Sequence, residues 1–325
     1  MTDQISLSII VVSFNTKDVL RQCLAKVEKN SQGIEMEVFV VDNNSSDGSV
    51  EMISTEFPDY KLIANSENLG FAAGNNVALR LAKGRYVLLL NSDAYLLPYT
   101  LEKTLKYMEK NHKCGILGVK LISEDGSMQP SARKLPDPLS KFLVMSGLSD
   151  KYPGSRFFGS PDYKWWNHKE VREVGWVPGA YFLIRKDLID EIGLLDERYF
   201  MYFEEIDYCF NALRSGWKVV FYPDAEVIHL GGQSSANTTK RITNSGKQLI
   251  NFRVKSEFRY YRKNYSLFKL SLSAGVEILW RTMVLIRNIV RDDRDSVMKK
   301  EESAVILSTI FKTLYTDSLG GGKTK

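Results

Sequence analysis

Tyr86-Val87-Leu88-Leu89-Leu90-Asn91-Ser92-Asp93 joins a five-residue apolar run to a polar stretch ending in a carboxylate. A run that short and that apolar, following Gly84, reads as a strand buried on both faces. In an open α/β sheet, ligands bind in the crevice beyond the carboxyl ends of such strands. Asn91-Ser92-Asp93 therefore has two readings. It is good turn chemistry, and it is also a place where Asp93 could hold a hard cation on a diphosphate.

The same pattern surrounds it. Leu7 to Val12, Glu37 to Val41 and Lys61 to Ala64 read as strands. Val19, Leu20, Cys23, Leu24 and Val27 fall at helical spacing, Ser49 to Phe57 reads as a helix, and another helix runs to Leu81 after the polar loop Asn65 to Phe71. Gly84 is expected to cap that helix. Alternation at this spacing implies βαβ units, an α/β class and a mostly parallel sheet flanked by helices. Further on, a helix is expected after Pro98 to about Asn111, with strands over Gly115 to Ile122, Ala180 to Ile184 and Lys218 to Tyr222. Helices are expected over Lys186 to Ile192 and from Glu204 to a stop at Gly216. From Ser123 to Glu173, five prolines and clustered aromatics read as an irregular binding loop or lid.

At 325 residues, with 44% hydrophobic and 26% charged content, the chain can bury a large core, and general disorder is excluded. Cys23, Cys114 and Cys209 lie far apart within apolar patterns, as reduced buried thiols do. No basic region precedes the first apolar stretch, and no apolar run is long enough to span a bilayer, so neither a signal peptide nor a transmembrane helix is expected. The charge is uneven. Residues 1–239 carry 26 Lys and Arg against 31 Asp and Glu, whereas residues 240–325 carry 18 against 8. A basic segment of that kind suits nucleic acid, an anionic membrane surface or simply a solvated helical face.

Three further places could carry chemistry. Asp42 ends the run Val38 to Val41, where its carboxylate could accept a hydrogen bond from a ring N–H or cap the following turn; Asp47 is free to serve the cap. Glu204, Glu205 and Asp207 open a helix directly after Phe200-Met201-Tyr202-Phe203. The helix dipole favours acids there, but carboxylates beside apolar groups also have raised pKa values, which suits a general base. His229 lies just past a strand, as a structural histidine or a metal ligand.

Seven segments in order carry a resemblance: Ser13-Phe14-Asn15, Val41-Asp42-Asn43-Asn44-Ser45, Asn68-Leu69-Gly70-Phe71, Leu90-Asn91-Ser92-Asp93, Val177-Pro178-Gly179-Ala180, Phe203-Glu204-Glu205-Ile206-Asp207 and His229-Leu230-Gly231-Gly232. Together, over about residues 5 to 235, the chain resembles the inverting glycosyltransferases of family 2, which have the Rossmann-like GT-A fold. Gln129-Pro130-Ser131-Ala132-Arg133 and Tyr260-Tyr261-Arg262-Lys263-Asn264-Tyr265 look like the subgroup of bacterial rhamnosyltransferases that build cell-surface polysaccharides. The resemblance implies a catalytic domain over 1–239, binding the nucleotide-sugar with about 1–122 and the acceptor with about 123–239, followed by a basic helical appendage over 240–325. It implies Ser13, Asn15, Asp42, Asn68, Gly70 and Ser92 around a dTDP- or UDP-sugar. Asp93 and His229 would hold Mn²⁺ or Mg²⁺, and Glu205 would be the base that deprotonates a glycan or lipid-linked glycan acceptor. Two positions depart from the family pattern. Asn91 stands where Asp is common, leaving only Asp93 as carboxylate, and Glu205 stands where Asp is commoner, one methylene longer.

The function so implied is metal-dependent, inverting transfer of a sugar such as rhamnose from dTDP-rhamnose. Two alternatives are a binding protein without turnover and a sugar-phosphate nucleotidyltransferase. The latter usually has a glycine-rich phosphate loop where this chain has Ser13-Phe14-Asn15. In the tail, Lys269, Ser273, Glu277, Arg281, Arg287 and Asn288 fall in one sector about 120° wide, and nearly everything else over 267–290 is apolar. This helix either packs on the catalytic domain or lies in a membrane interface. The expected partners are thus a lipid surface and no nucleic acid, at a cytoplasmic location on the inner face of the cell membrane.

Overall fold

The computed structural model describes residues 6–231, 244–291 and 293–317. Gly232 and the expected boundary at 239/240 lie outside them. The elements begin with β1 (Leu7–Ser13), α1 (Lys17–Asn30), β2 (Met36–Asp42), α2 (Ser49–Glu56), β3 (Lys61–Ala64), α3 (Gly70–Leu79), β4 (Tyr86–Asn91), β5 (Ala94–Leu96), α4 (Thr100–Lys110) and β6 (Cys114–Ile122). They continue with α5 (Pro138–Met145), α6 (Leu148–Lys151), β7 (Arg172–Glu173), β8 (Tyr181–Arg185), α7 (Lys186–Ile192), α8 (Glu204–Arg214), β9 (Lys218–His229), α9 (Asn244–Asn264), α10 (Leu267–Arg287) and α11 (Arg294–Asp317).

One nine-stranded sheet holds all the strands, in the order β3-β2-β1-β4-β8-β6-β9-β5, with β7 on β9. It is parallel from β3 through β4 and mixed beyond, because β8 enters antiparallel between β4 and β6. Chain order reverses between β1 and β4, the switch point at which a ligand crevice opens. The register places Ser13 beside Asp42 and Val12 beside Asn91, so three carboxyl ends form one edge. Apolar residues of β1, β2 and β4 fill the core with Leu20, Cys23, Leu24 and Val27 of α1. All three cysteines are buried, and none forms a disulfide.

The structure corrects three expectations. Gly84 caps nothing: α3 ends at Leu79, and a Cβ at Gly84 would lie 2.4 Å from the backbone nitrogen of Ser8. The strand expected to stop at Tyr222 runs on to His229, passing Pro223 through a register shift against β6. A bulge is how a strand tolerates proline. The expected irregular loop contains α5, which Pro138 opens instead of breaking; Asp137 caps it by accepting the Ser140 N–H at 2.9 Å.

The chain divides into two compact units. The first comprises Met1–Lys134, Asn167–Glu197 and Tyr208–Ser234, and holds the sheet. The second comprises Leu135–Trp166, Arg198–Asp207 and Ser235–Lys325. In it, the polar stripe of α10 faces inward. Glu277 is 1% exposed and meets Lys141 at 2.5 Å, Arg281 at 3.2 Å and Arg253 at 3.5 Å. Ser273 donates to Glu257 at 2.8 Å, and Lys141 also pairs with Glu257 at 2.6 Å. Burial alone pushes the Glu277 carboxyl up, but Lys141, Arg253 and Arg281 outweigh it and bring it down to about 2. No helix among the described residues is long and apolar enough to cross a membrane.

Candidate active site

At the carboxyl edge of the first unit, short polar side chains knit three loops together. The Ser13 and Thr16 hydroxyls lie 3.0 Å apart, and Thr16 donates to the Ser92 hydroxyl at 3.3 Å. Asn15, at φ 52°, accepts the Ser46 N–H at 2.8 Å, while its own N–H donates to Ser45 at 2.9 Å. Asp47 takes the N–H groups of Lys17 and Ser49, while Asp42 caps its own turn through the Ser45 N–H.

Asp42 is fully buried at the end of β2. One carboxylate oxygen accepts the Ser45 N–H at 2.8 Å, and the other, Oδ1, has no hydrogen-bond partner among the described residues. A buried acceptor without a donor is costly, so Asp42 fits a site that a ligand N–H completes. Beside it, Asn43 donates to the Gly70 carbonyl at 3.0 Å, and the Gly70 N–H donates to Asn68 at 2.9 Å. Gly70 sits at φ 79°, a conformation natural to glycine, and starts α3. Asn68 and Gly70 thus shape the loop against Asn43. Neither Asn43 nor Thr16 was singled out by sequence reasoning.

Asp93 and His229 lie far apart in sequence and come together because β5 pairs antiparallel with β9, Ala94 opposite His229. The Leu230 N–H donates to the Asp93 carbonyl at 3.0 Å, and Asp93 Oδ1 lies 3.4 Å from His229 Nε2. Gln129 holds the other side of the ring. Its amide nitrogen donates to the His229 carbonyl at 2.7 Å and to Ser123 at 3.0 Å. Its Oε1 lies 2.8 Å from His229 Nδ1. A backbone carbonyl only accepts, so the amide nitrogen must face it. Oε1 then faces Nδ1, and the ring proton must sit on Nδ1. Nε2 is then the ring nitrogen that faces Asp93, the one left to a metal when Nδ1–H is held by another group.

That pair fits a divalent cation. The carboxylate and imidazole donors, 3.4 Å apart, are near enough that both would reach one cation. No group of three or more His, Cys, Asp or Glu residues suited to a metal occurs among the described residues. Such a thin protein shell suits a cation that takes its remaining ligands from substrate phosphates and water. Asn91 ends β4, with its N–H on the Ala180 carbonyl at 3.2 Å.

In the second unit, Tyr202 at φ 69° and Phe203 at φ 71° precede α8. Two consecutive bulky residues in the left-handed region are strained, and such strain collects at functional sites. Glu204 follows, buried, with Oε2 lacking a partner; burial first, then the charge of Glu205, raises its pKa well above the ordinary value. Glu205 is half-buried beside it. Asp207 is structural: Tyr199, Lys263 and Asn264 all donate to it, at 3.2, 2.7 and 2.6 Å.

Residues 8–193 match the description "Glycosyl transferase family 2". The chain belongs to that family and is a glycosyltransferase. It is 28% identical over 242 residues to the N-acetylglucosaminyl-diphospho-decaprenol L-rhamnosyltransferase of Mycobacterium tuberculosis, covering 70% of this chain and 76% of the relative. It is 24% identical over 263 residues to rhamnosyltransferase WbbL of Escherichia coli, covering 78% and 91%. Among solved structures, the mannosyltransferase PcManGT of Pyrobaculum calidifontis, in complex with GDP-Man and Mn²⁺, aligns over 96% of this chain and 87% of its own, with a TM-score of 0.56 at 16% identity. The fold is GT-A.

Proposed function

We propose that this glycosyltransferase is a metal-dependent, inverting enzyme that moves rhamnose from dTDP-rhamnose to a lipid-linked glycan acceptor. The Asp93–His229 pair, with the histidine tautomer set by Gln129, is the observation that carries the reading. The rhamnosyltransferase names of both relatives support the sugar, and the diphospho-decaprenol in one of them supports the acceptor class. Asp42 Oδ1 lacks a donor that the imide N–H of thymine would supply. Asp93 and His229 would hold the cation, which when bound offsets the charge developing on the departing diphosphate. Glu205 takes the proton of the acceptor hydroxyl, and that oxygen bonds to the anomeric carbon as the bond to the diphosphate breaks. One displacement inverts the configuration, so no nucleophilic side chain is required.

The decisive measurement is transfer from dTDP-rhamnose with Mn²⁺ in wild type, Asp93→Asn and Glu205→Gln, alongside calorimetric binding of dTDP. Glu205→Gln should bind dTDP normally and lose transfer by at least about a hundredfold. Asp42→Asn should weaken dTDP about tenfold, as expected for loss of a hydrogen bond to a charged group. Full transfer by Glu205→Gln would remove it as the base.

A further inference from the structure

α10 is amphipathic with its sides reversed from the usual arrangement. Its polar residues Ser273 and Glu277 are buried, whereas Phe268, Leu272, Leu279, Met283 and Ile286 are exposed, Phe268 to 74% and Ile286 to 66%. At 100° per residue these five lie within a sector about 60° wide, opposite the buried stripe. α5 extends the patch, since Phe142 meets the Trp280 ring edge-on at 6.5 Å and both Phe142 and Leu139 are exposed. A contiguous apolar surface of this kind marks an interaction site.

Its charge identifies the occupant. Residues 262–291 contain six Lys and Arg and a single acid, Glu277, which is buried against Lys141. Two of the six are already paired outside the stretch, Lys263 with Asp207 at 2.7 Å and Arg281 with Glu302 of α11 at 3.2 Å. The exposed charges at the end of α10 and just after it, Arg287 and Arg291, are positive. Symmetric pairing with a second copy would set cation against cation, whereas anionic headgroups complement them. The helix is also not apolar enough to span a bilayer. We propose that the outward face of α10, continued by α5, lies in the plane of an anionic lipid surface, with its apolar side chains in the acyl boundary and its cations among the headgroups.

The test uses the full chain with vesicles of phosphatidylcholine, alone or mixed with phosphatidylglycerol. Wild type should float with the mixed vesicles, and about tenfold less with phosphatidylcholine alone. The double variant Leu279→Glu/Ile286→Glu, whose sites are exposed and whose fold is checked by circular dichroism, should lose flotation by at least about tenfold. Equal flotation of variant and wild type overturns the proposal, as does failure of wild type to float. A wild-type dimer by light scattering that the variant turns into a monomer, without vesicle binding by either, assigns the face to a second copy instead. The contact does not rest on the transfer reaction. Normal dTDP binding by a variant that no longer floats keeps the two claims separate.

Discussion

At His229 the ring has two nitrogens and two neighbours, Gln129 on one side and Asp93 on the other. Because Gln129 is itself pinned by the His229 carbonyl, its Oε1 stays on Nδ1 and leaves Nε2 facing Asp93. Replacing Gln129 with Leu frees the ring to present either nitrogen, and should weaken Mn²⁺ binding about 10–100-fold. Gln129→Glu, which still accepts from Nδ1–H, should retain most of the affinity. Electron paramagnetic resonance titration of Mn²⁺ reads both without any turnover. Equal affinities for wild type and Gln129→Leu would show that the amide does not position the ring. His229 and Asp93 were legible as single residues, and Gln129 as part of a motif. Their meeting was implied only by the family resemblance, because in the residues themselves nothing marks that β5, three residues long, pairs with the far end of β9.

Among the elements, α10 shows how far periodicity reaches. Its polar stripe and apolar face were both visible in the order of residues, but which side turns inward depends on partners supplied by α5 and α9. Lys141, Arg253 and Glu257 meet the stripe and make burial of Glu277 tolerable. Glu277→Gln leaves three buried or half-buried cations short of their counter-charge and should destabilise the second unit by about 3 kcal/mol at neutral pH. The sign follows from a depressed folded-state pKa. The stability Glu277 contributes is complete above its unfolded value near 4.5 and is lost as pH falls towards about 2. Urea midpoints of wild type and variant should converge over that window. Coincident midpoints at pH 7 would leave the network without a role in holding α10.

For the whole molecule, Glu204 acts in the opposite sense. Its raised folded-state pKa means the native state holds the proton more tightly. Stability therefore declines as pH rises from the ordinary carboxyl value of 4.5 through the raised one. Glu204→Gln should melt at a higher temperature than wild type at pH 8 and at nearly the same temperature at pH 4. A gap that does not widen with pH would place the Glu204 carboxyl in a less costly setting. The strand–helix alternation, the crevice-edge acids and the basic character of the C-terminal segment can be read along the chain, because they rest on local spacing and composition. The antiparallel entry of β8, the hold of Lys263 and Asn264 on Asp207, and the outward turn of the apolar side of α10 emerge only when the chain is folded. Each of these depends on contacts between residues distant in sequence, and periodicity within one element carries no record of which distant partner its side chains will meet.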